Sequence, residues 1–108
     1  MEYTVRLTGT GRVEVAAYGL ADAEHLVEKE ITRVCPDGVV EVLEVARAGT
    51  GARIAEEFVV RYRVRVTLSI EAESGDEAKR AALRRQQERF AGSRYQRTAW
   101  DEPVVHAW

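Results

Sequence analysis

From Phe58 to Ala72 every even-numbered position is apolar: Phe58, Val60, Tyr62, Val64, Val66, Leu68, Ile70 and Ala72. The odd positions are mostly polar: Arg61, Arg63, Arg65, Thr67, Ser69 and Glu71. Strict period-two alternation, rich in β-branched and aromatic residues, predicts one long strand with a buried face and a wet face. Nothing that breaks a strand interrupts it. Residues 3–17 alternate in the same way. Tyr3, Val5, Leu7, Gly9, Gly11, Val13, Val15 and Ala17 hold one parity, and Thr4, Arg6, Thr8, Thr10, Arg12 and Glu14 the other.

These two runs are related. An offset of 55 residues places Val13 on Leu68, Val15 on Ile70, Ala17 on Ala72, Asp22 on Glu77 and Ala23 on Ala78. Each half then reads as long strand, helix, strand, and an internal repeat governs the choice of fold. Gly9 and Gly11 fall on Val64 and Val66, where no turn residue stands. They therefore mark a bulge or a close backbone approach within a strand. A hairpin turn at Thr8–Gly11 is the alternative.

A first helix is predicted over residues 22–34, its apolar stripe formed by Leu20, Ala23, Val27, Ile31 and Val34. Pro36, Asp37 and Gly38 stop it. A strand over 39–47 follows, with apolar residues on both parities, and residues 48–56 join the halves. The second helix opens at Ser74, with Glu77 three residues on, which is a capping box. Its stripe is thin, made of Ala78, Ala81, Ala82, Leu83 and Phe90. Gly92 and Ser93 end it. Residues 94–100 form the last predicted strand, and 101–108 an apolar tail.

The order is β-α-β-β-α-β from a duplicated unit. With right-handed crossovers, this predicts a single α+β domain, a ferredoxin-like sandwich with a four-stranded antiparallel sheet and two helices on one face. The long runs become its central strands. Their length is awkward. About fifteen strand residues reach roughly 50 Å, whereas a thirteen-residue helix covers roughly 20 Å. Either the strands coil strongly or a ribbon projects and needs cover, from a second copy or from the tail.

Composition narrows the function. The chain of 108 residues is 45% hydrophobic and 31% charged, with a formal net charge of −2. That suits a globular protein with no overall attraction to nucleic acid or anionic membrane. No apolar run is long enough to span a bilayer. The start, Met1 to Arg6, lacks the charge and apolar core of a signal peptide. One cysteine, Cys35, excludes an internal disulfide and fits a cytoplasmic setting. Cys35 at a helix end reads as structural, and His25 and His106 have no metal-ligand spacing around them. No nucleophile elbow, phosphate loop or paired acid is present, so neither catalytic residue, cofactor nor metal is expected.

The candidate site is a ladder of arginines. Arg61, Arg63 and Arg65 share the wet face of one central strand, and Arg6 and Arg12 that of its neighbour. RNA-binding sheets of this topology stack bases on exposed aromatics, and this face offers Arg and Thr instead. It suits an acidic protein or a phosphate. Alternatively it is a solvated face, its arginines paired with Glu14, Glu57 and Glu71. The basic residues of the second helix read as solvated. Trp100 and Trp108 on the tail pack on their own domain or insert into a partner.

The run Arg65–Ala78 resembles small phage and plasmid proteins of the DpnD/PcfM-like family, in which an alternating strand enters a capped helix through a Glu-Ala-Glu-Ser stretch. The resemblance spans about 25 residues and implies no catalytic residue. The expectation is a small non-catalytic protein of a phage or mobile element. It binds another protein, with a homodimer possible, through Arg6, Arg12, Arg61, Arg63, Arg65, Trp100 and Trp108. Two rivals stand: a nucleic-acid-binding module using the Arg face, and a dimeric ferredoxin-like barrel enzyme with an apolar cavity near Gly9 and Gly11.

Overall fold

The computed structural model describes residues 1–48 and 55–107. The joint glycines Gly49 and Gly51, and Trp108, lie outside them. In chain order the elements are β1 (Glu2–Ala17), α1 (Leu20–Val34), β2 (Val39–Arg47), β3 (Glu56–Glu71), α2 (Gly75–Phe90), β4 (Ala99–Trp100) and β5 (Val104–Ala107). The fold is α+β. The sheet runs β2-β3-β1-β4, β5 also pairs with β1, and all of these pairings are antiparallel.

β1 and β3 pair without a break from Glu2↔Glu71 to Ala17↔Glu56. Thr8–Gly11 is therefore neither a hairpin nor a bulge. The glycines serve close approach instead. A Cβ on Gly9 would lie 2.7 Å from the Thr98 methyl and the Trp100 ring, and one on Gly11 would collide with the Tyr62 hydroxyl. Those side chains fill the space in which an apolar cavity was expected.

The apolar parities of both strands point to one face, where Val5, Leu7, Phe58, Val60, Tyr62 and Val64 are almost fully buried. Both helices pack on that face. Their placement explains the long strands. α2 starts where Gly75 meets Val105, a cross-strand partner of Val5, and ends where Phe90 stacks on Trp100, the partner of Gly9. The turn after α1 ends where Gly38 meets Val64, itself the partner of Gly9. From there α1 extends over the other half of the ribbon and barely touches α2. Two helices of fifteen and sixteen residues, end to end, cover about 46 Å. The sixteen-residue strands reach about 53 Å. No bare ribbon projects, and the molecule is a rod of 56 × 20 × 19 Å.

Gly9 maps onto Val64 under the 55-residue offset, and the two are also cross-strand partners. The middle of the ladder is thus where the two halves meet.

Three local expectations change. α1 begins two residues early, at Leu20. Its N-cap is Gly19, which has no side chain to cap with, and the Tyr18 amide donates to Asp22 instead. The α2 cap is as expected at Ser74, whose hydroxyl accepts from the Glu77 amide at 3.2 Å, but Glu77 reaches back to the Glu73 amide rather than to that of Ser74. The last strand is not 94–100. Residues 91–98 turn under the sheet, drawn by the burial of Tyr95 and Thr98, and pairing starts only at Ala99. Pro103, which has no amide to donate, separates β4 from β5, so the supposed tail is the edge of the sheet.

Candidate protein-binding surface

The face opposite the helices is open and polar. Arg61, Arg63 and Arg65 stand on it in a row, as the alternation requires, opposite Arg12, Thr10 and Thr8. The arginines do not pair with Glu14, Glu57 or Glu71. β2 lies beside β3 and brings its own carboxylates into register: Glu41 opposite Arg63 and Glu44 opposite Arg61. Arg61 donates to Glu44 at 3.3 Å and Arg63 to Glu41 at 3.2 Å, and Arg65 lies 3.9 Å from the same Glu41. These exposed pairs add little stability, but they neutralise most of the ladder.

Arg6 and Arg12 stand apart from that network. Arg6 donates to the His106 Nε2 at 2.9 Å. Arg12 faces Arg61 across the ladder. Among the described residues neither Arg12 nor Glu14 has a hydrogen-bonding or ion-pair partner. Trp100 is half-buried, its ring edge-on to Phe90 with centroids 5.2 Å apart, so it packs on its own domain.

The sheet leaves main-chain groups unpaired as well. β2 covers β3 only from Phe58 to Arg65. β4 and β5 cover β1 only between Tyr3 and Thr10. Among the described residues no strand lies beyond β1 from Gly11 to Ala17, or beyond β3 from Val66 to Glu71. The Thr8 carbonyl accepts from the Asp101 amide. Even-numbered residues of β1 therefore point their N–H and C=O groups outward, and those of Arg12, Glu14 and Ala16 meet no strand.

Apolar surface gathers near the same end. Tyr18 is 74% exposed and Leu20 48% exposed. Leu20 also lines an open groove of about 440 Å³ with Val42, Leu43 and Val45. A bulge between Val42 and Glu44 kinks the outer strand there.

The waist under the Gly9·Val64 pair holds the buried polar groups. Both helices end there. Arg89, in the last turn of α2, donates to Asp37 at 2.7 Å and to the Gln86 Oε1 at 3.1 Å, and Gln86 is fully buried. The Arg89 hydrogen bond holds the Asp37 carboxyl below its usual range, and Asp37 in turn raises Arg89. Burial raises the Cys35 thiol, so the structural reading of this cysteine fits its surroundings. Tyr95 donates to Glu30 at 2.6 Å. Its phenol is raised by burial first and by that carboxylate second. Thr98 donates to the Tyr95 carbonyl and so accepts from Tyr62, whose phenol burial also raises. No buried side-chain N or O atom lacks a partner among the described residues. The waist is a hydrogen-bonded network that joins the ends of both helices. No group of His, Cys, Asp or Glu fit to hold a metal occurs among the described residues, and no described helix is long and apolar enough to cross a membrane.

Gln86, Tyr95 and Thr98 were not foreseen, nor were the pairs made by Glu41 and Glu44. A signal for the last existed: two carboxylates in a strand joined by a short connection to a strand of three arginines.

No family model matches the chain, and no curated protein does. Among solved structures it is similar to a de novo designed protein, Foldit4, at 15% identity, covering 100% of this chain and 99% of that one with a TM-score of 0.27.

Proposed function

We propose that this chain is a non-catalytic protein-binding or assembly module, an elongated ferredoxin-like β-α-β-β-α-β sandwich that takes extended segments of other chains onto its open strand edges. One observation carries the reading: two sixteen-residue central strands, each flanked on its outer side over about half its length. Exposed edges of this kind are templates for strand addition, in which main-chain hydrogen bonds supply affinity. The strand order and the two helices on one face support the ferredoxin-like reading. The self-neutralised arginines weigh against the sheet face as the main contact and against a nucleic-acid role.

The test compares binding partners captured by the wild-type chain, by the Arg61→Ala/Arg63→Ala/Arg65→Ala triple variant, and by the edge variants Glu14→Pro and Ser69→Pro. Proline removes an outward amide without disturbing the β1·β3 ladder. Partners kept by the triple variant and lost by an edge variant are the expected result. Partners lost only by the triple variant move the site to the arginine ladder. Retention of single-stranded or duplex nucleic acid on a filter at low salt, with steep loss as salt rises, favours the nucleic-acid alternative.

A further inference from the structure

We infer that the segment added to the open edge of β1 is the same segment of a second copy, joining two molecules edge to edge about a two-fold axis at Glu14. The inference rests on the edge-binding reading above and names its partner.

The geometry leaves one register that uses the whole edge. β4 closes the edge at Thr10, where Ala99 is paired. The strand ends at Ala17. Between these limits two copies align antiparallel with Glu14 opposite Glu14, Arg12 opposite Ala16, and Gly11 opposite Ala17. Sliding the copies into deeper overlap drives Ala16 onto the place held by Ala99. Sliding them apart shortens the ladder. In the register that remains, the outward N–H and C=O groups of Arg12, Glu14 and Ala16 meet the same groups of the other copy and form about six main-chain hydrogen bonds.

The side chains agree. Arg12 and Glu14 are the charged residues of this edge, and among the described residues neither side chain has a partner. Two Glu14 carboxylates meeting at the axis are unfavourable alone. Each also lies diagonal to the other copy's Arg12, about 7–8 Å between backbones and within reach of an arginine side chain. Opposite Arg12 stands the small Ala16, which leaves room for the guanidinium to lean across. The four charges sum to zero.

The other edges are guarded where this one is not. β2 carries a bulge and the β4–β5 edge a proline. The free edge of β3 offers no such charge match: Glu71 already holds the Met1 ammonium at 2.8 Å, and Ser69 donates to Glu2 at 2.5 Å.

Sedimentation velocity on the full chain, from micromolar to hundred-micromolar concentration, tests this. The wild type is expected to dimerise, and Glu14→Pro to be a folded monomer by circular dichroism with at least about tenfold weaker association. Arg12→Glu, which sets four carboxylates at the axis, is expected to weaken the dimer comparably, and the exchange variant Arg12→Glu/Glu14→Arg to restore it. Should Glu14→Pro misfold, hydrogen exchange on the wild type decides: the amides of Arg12, Glu14 and Ala16 slow as concentration rises, and those of Thr67 and Ser69 do not. A wild type that stays monomeric, or a dimer indifferent to these changes, overturns the inference. If such a protein still loses a captured partner on Glu14→Pro, the edge reading survives without the second copy; if neither edge variant changes capture, both fall.

Discussion

α1 and α2 occupy equivalent places and do not use them alike. α1 buries Ala23, Val27 and Ile31, and Cys35 follows at its cap. α2 buries Ala78, Ala82, Gln86 and Phe90. Each buried position of one helix falls on a buried position of the other under the 55-residue offset. Inward positions thus survive where the chemistry does not. Val27 stands against Ala82, and Ile31 against Gln86. The α1 half is held by branched aliphatic packing. The α2 half makes up for smaller residues with Phe90 on Trp100 and with hydrogen bonds at the waist.

This contrast can be broken in graded steps, each read as a change in unfolding free energy by denaturant titration. The largest effect is expected for Ile31→Ala, at about 3–4 kcal/mol, because a fully buried branched chain leaves a cavity. Gly9→Ala comes next at about 2–3 kcal/mol, since the added methyl meets Thr98 and the Trp100 ring. Gln86→Ala costs about 1–2 kcal/mol, less than its aliphatic counterpart, because Arg89 keeps Asp37 when Gln86 is lost. If Gln86→Ala proves as costly as Ile31→Ala, the polar waist carries more stability than the packing argument assigns it. The caps sharpen the comparison at the small end. Ser74→Ala costs about 1 kcal/mol, whereas Gly19→Ser gains a few tenths, about 0.3 kcal/mol, where the added Cβ meets nothing.

One pH effect belongs to the waist. Asp37 is held low by Arg89, so the folded state binds its proton less readily than the unfolded chain. That contribution is complete above the unfolded carboxylate value of about 4 and is lost as pH falls through the lower folded value. The difference in melting temperature between wild type and Asp37→Asn should therefore shrink as pH falls from about 5 to about 3 and below. Asp37 is half-exposed, and the effect is correspondingly small.

The long strands, both helices and the Ser74 cap were legible in the sequence because alternation and capping are local. The 55-residue offset was legible because it repeats hydrophobic positions. The end-to-end helices were not, although the mismatch between strand and helix lengths posed the question they answer. Nor was the delayed last strand: Arg94 to Trp100 carries strand-like residues, but burial of Tyr95 and Thr98 beneath Tyr62 outweighs local preference. The arginine face was placed correctly and its partners were not, because ion pairing depends on which strand lies alongside. The sequence named Arg12 with the ladder and Glu14 as a pairing carboxylate, but their place together on an open strand edge shows only once every neighbour has been assigned.

The unbroken β1·β3 ladder also sets an order in time. Its shortest loop is closed by the Ala17↔Glu56 rung, and each rung toward Glu2↔Glu71 joins residues further apart in the chain. The β2·β3 hairpin is more local still. Loop closure favours near contacts first. The sheet is therefore expected to begin as the β2·β3 hairpin and to zip β1 on from Ala17 toward Glu2. In refolding measurements, Val15→Ala should slow folding while Val5→Ala chiefly hastens unfolding; the reverse pattern would refute this order. The Gly11–Ala17 segment would then be in place before the rest of β1 is laid down.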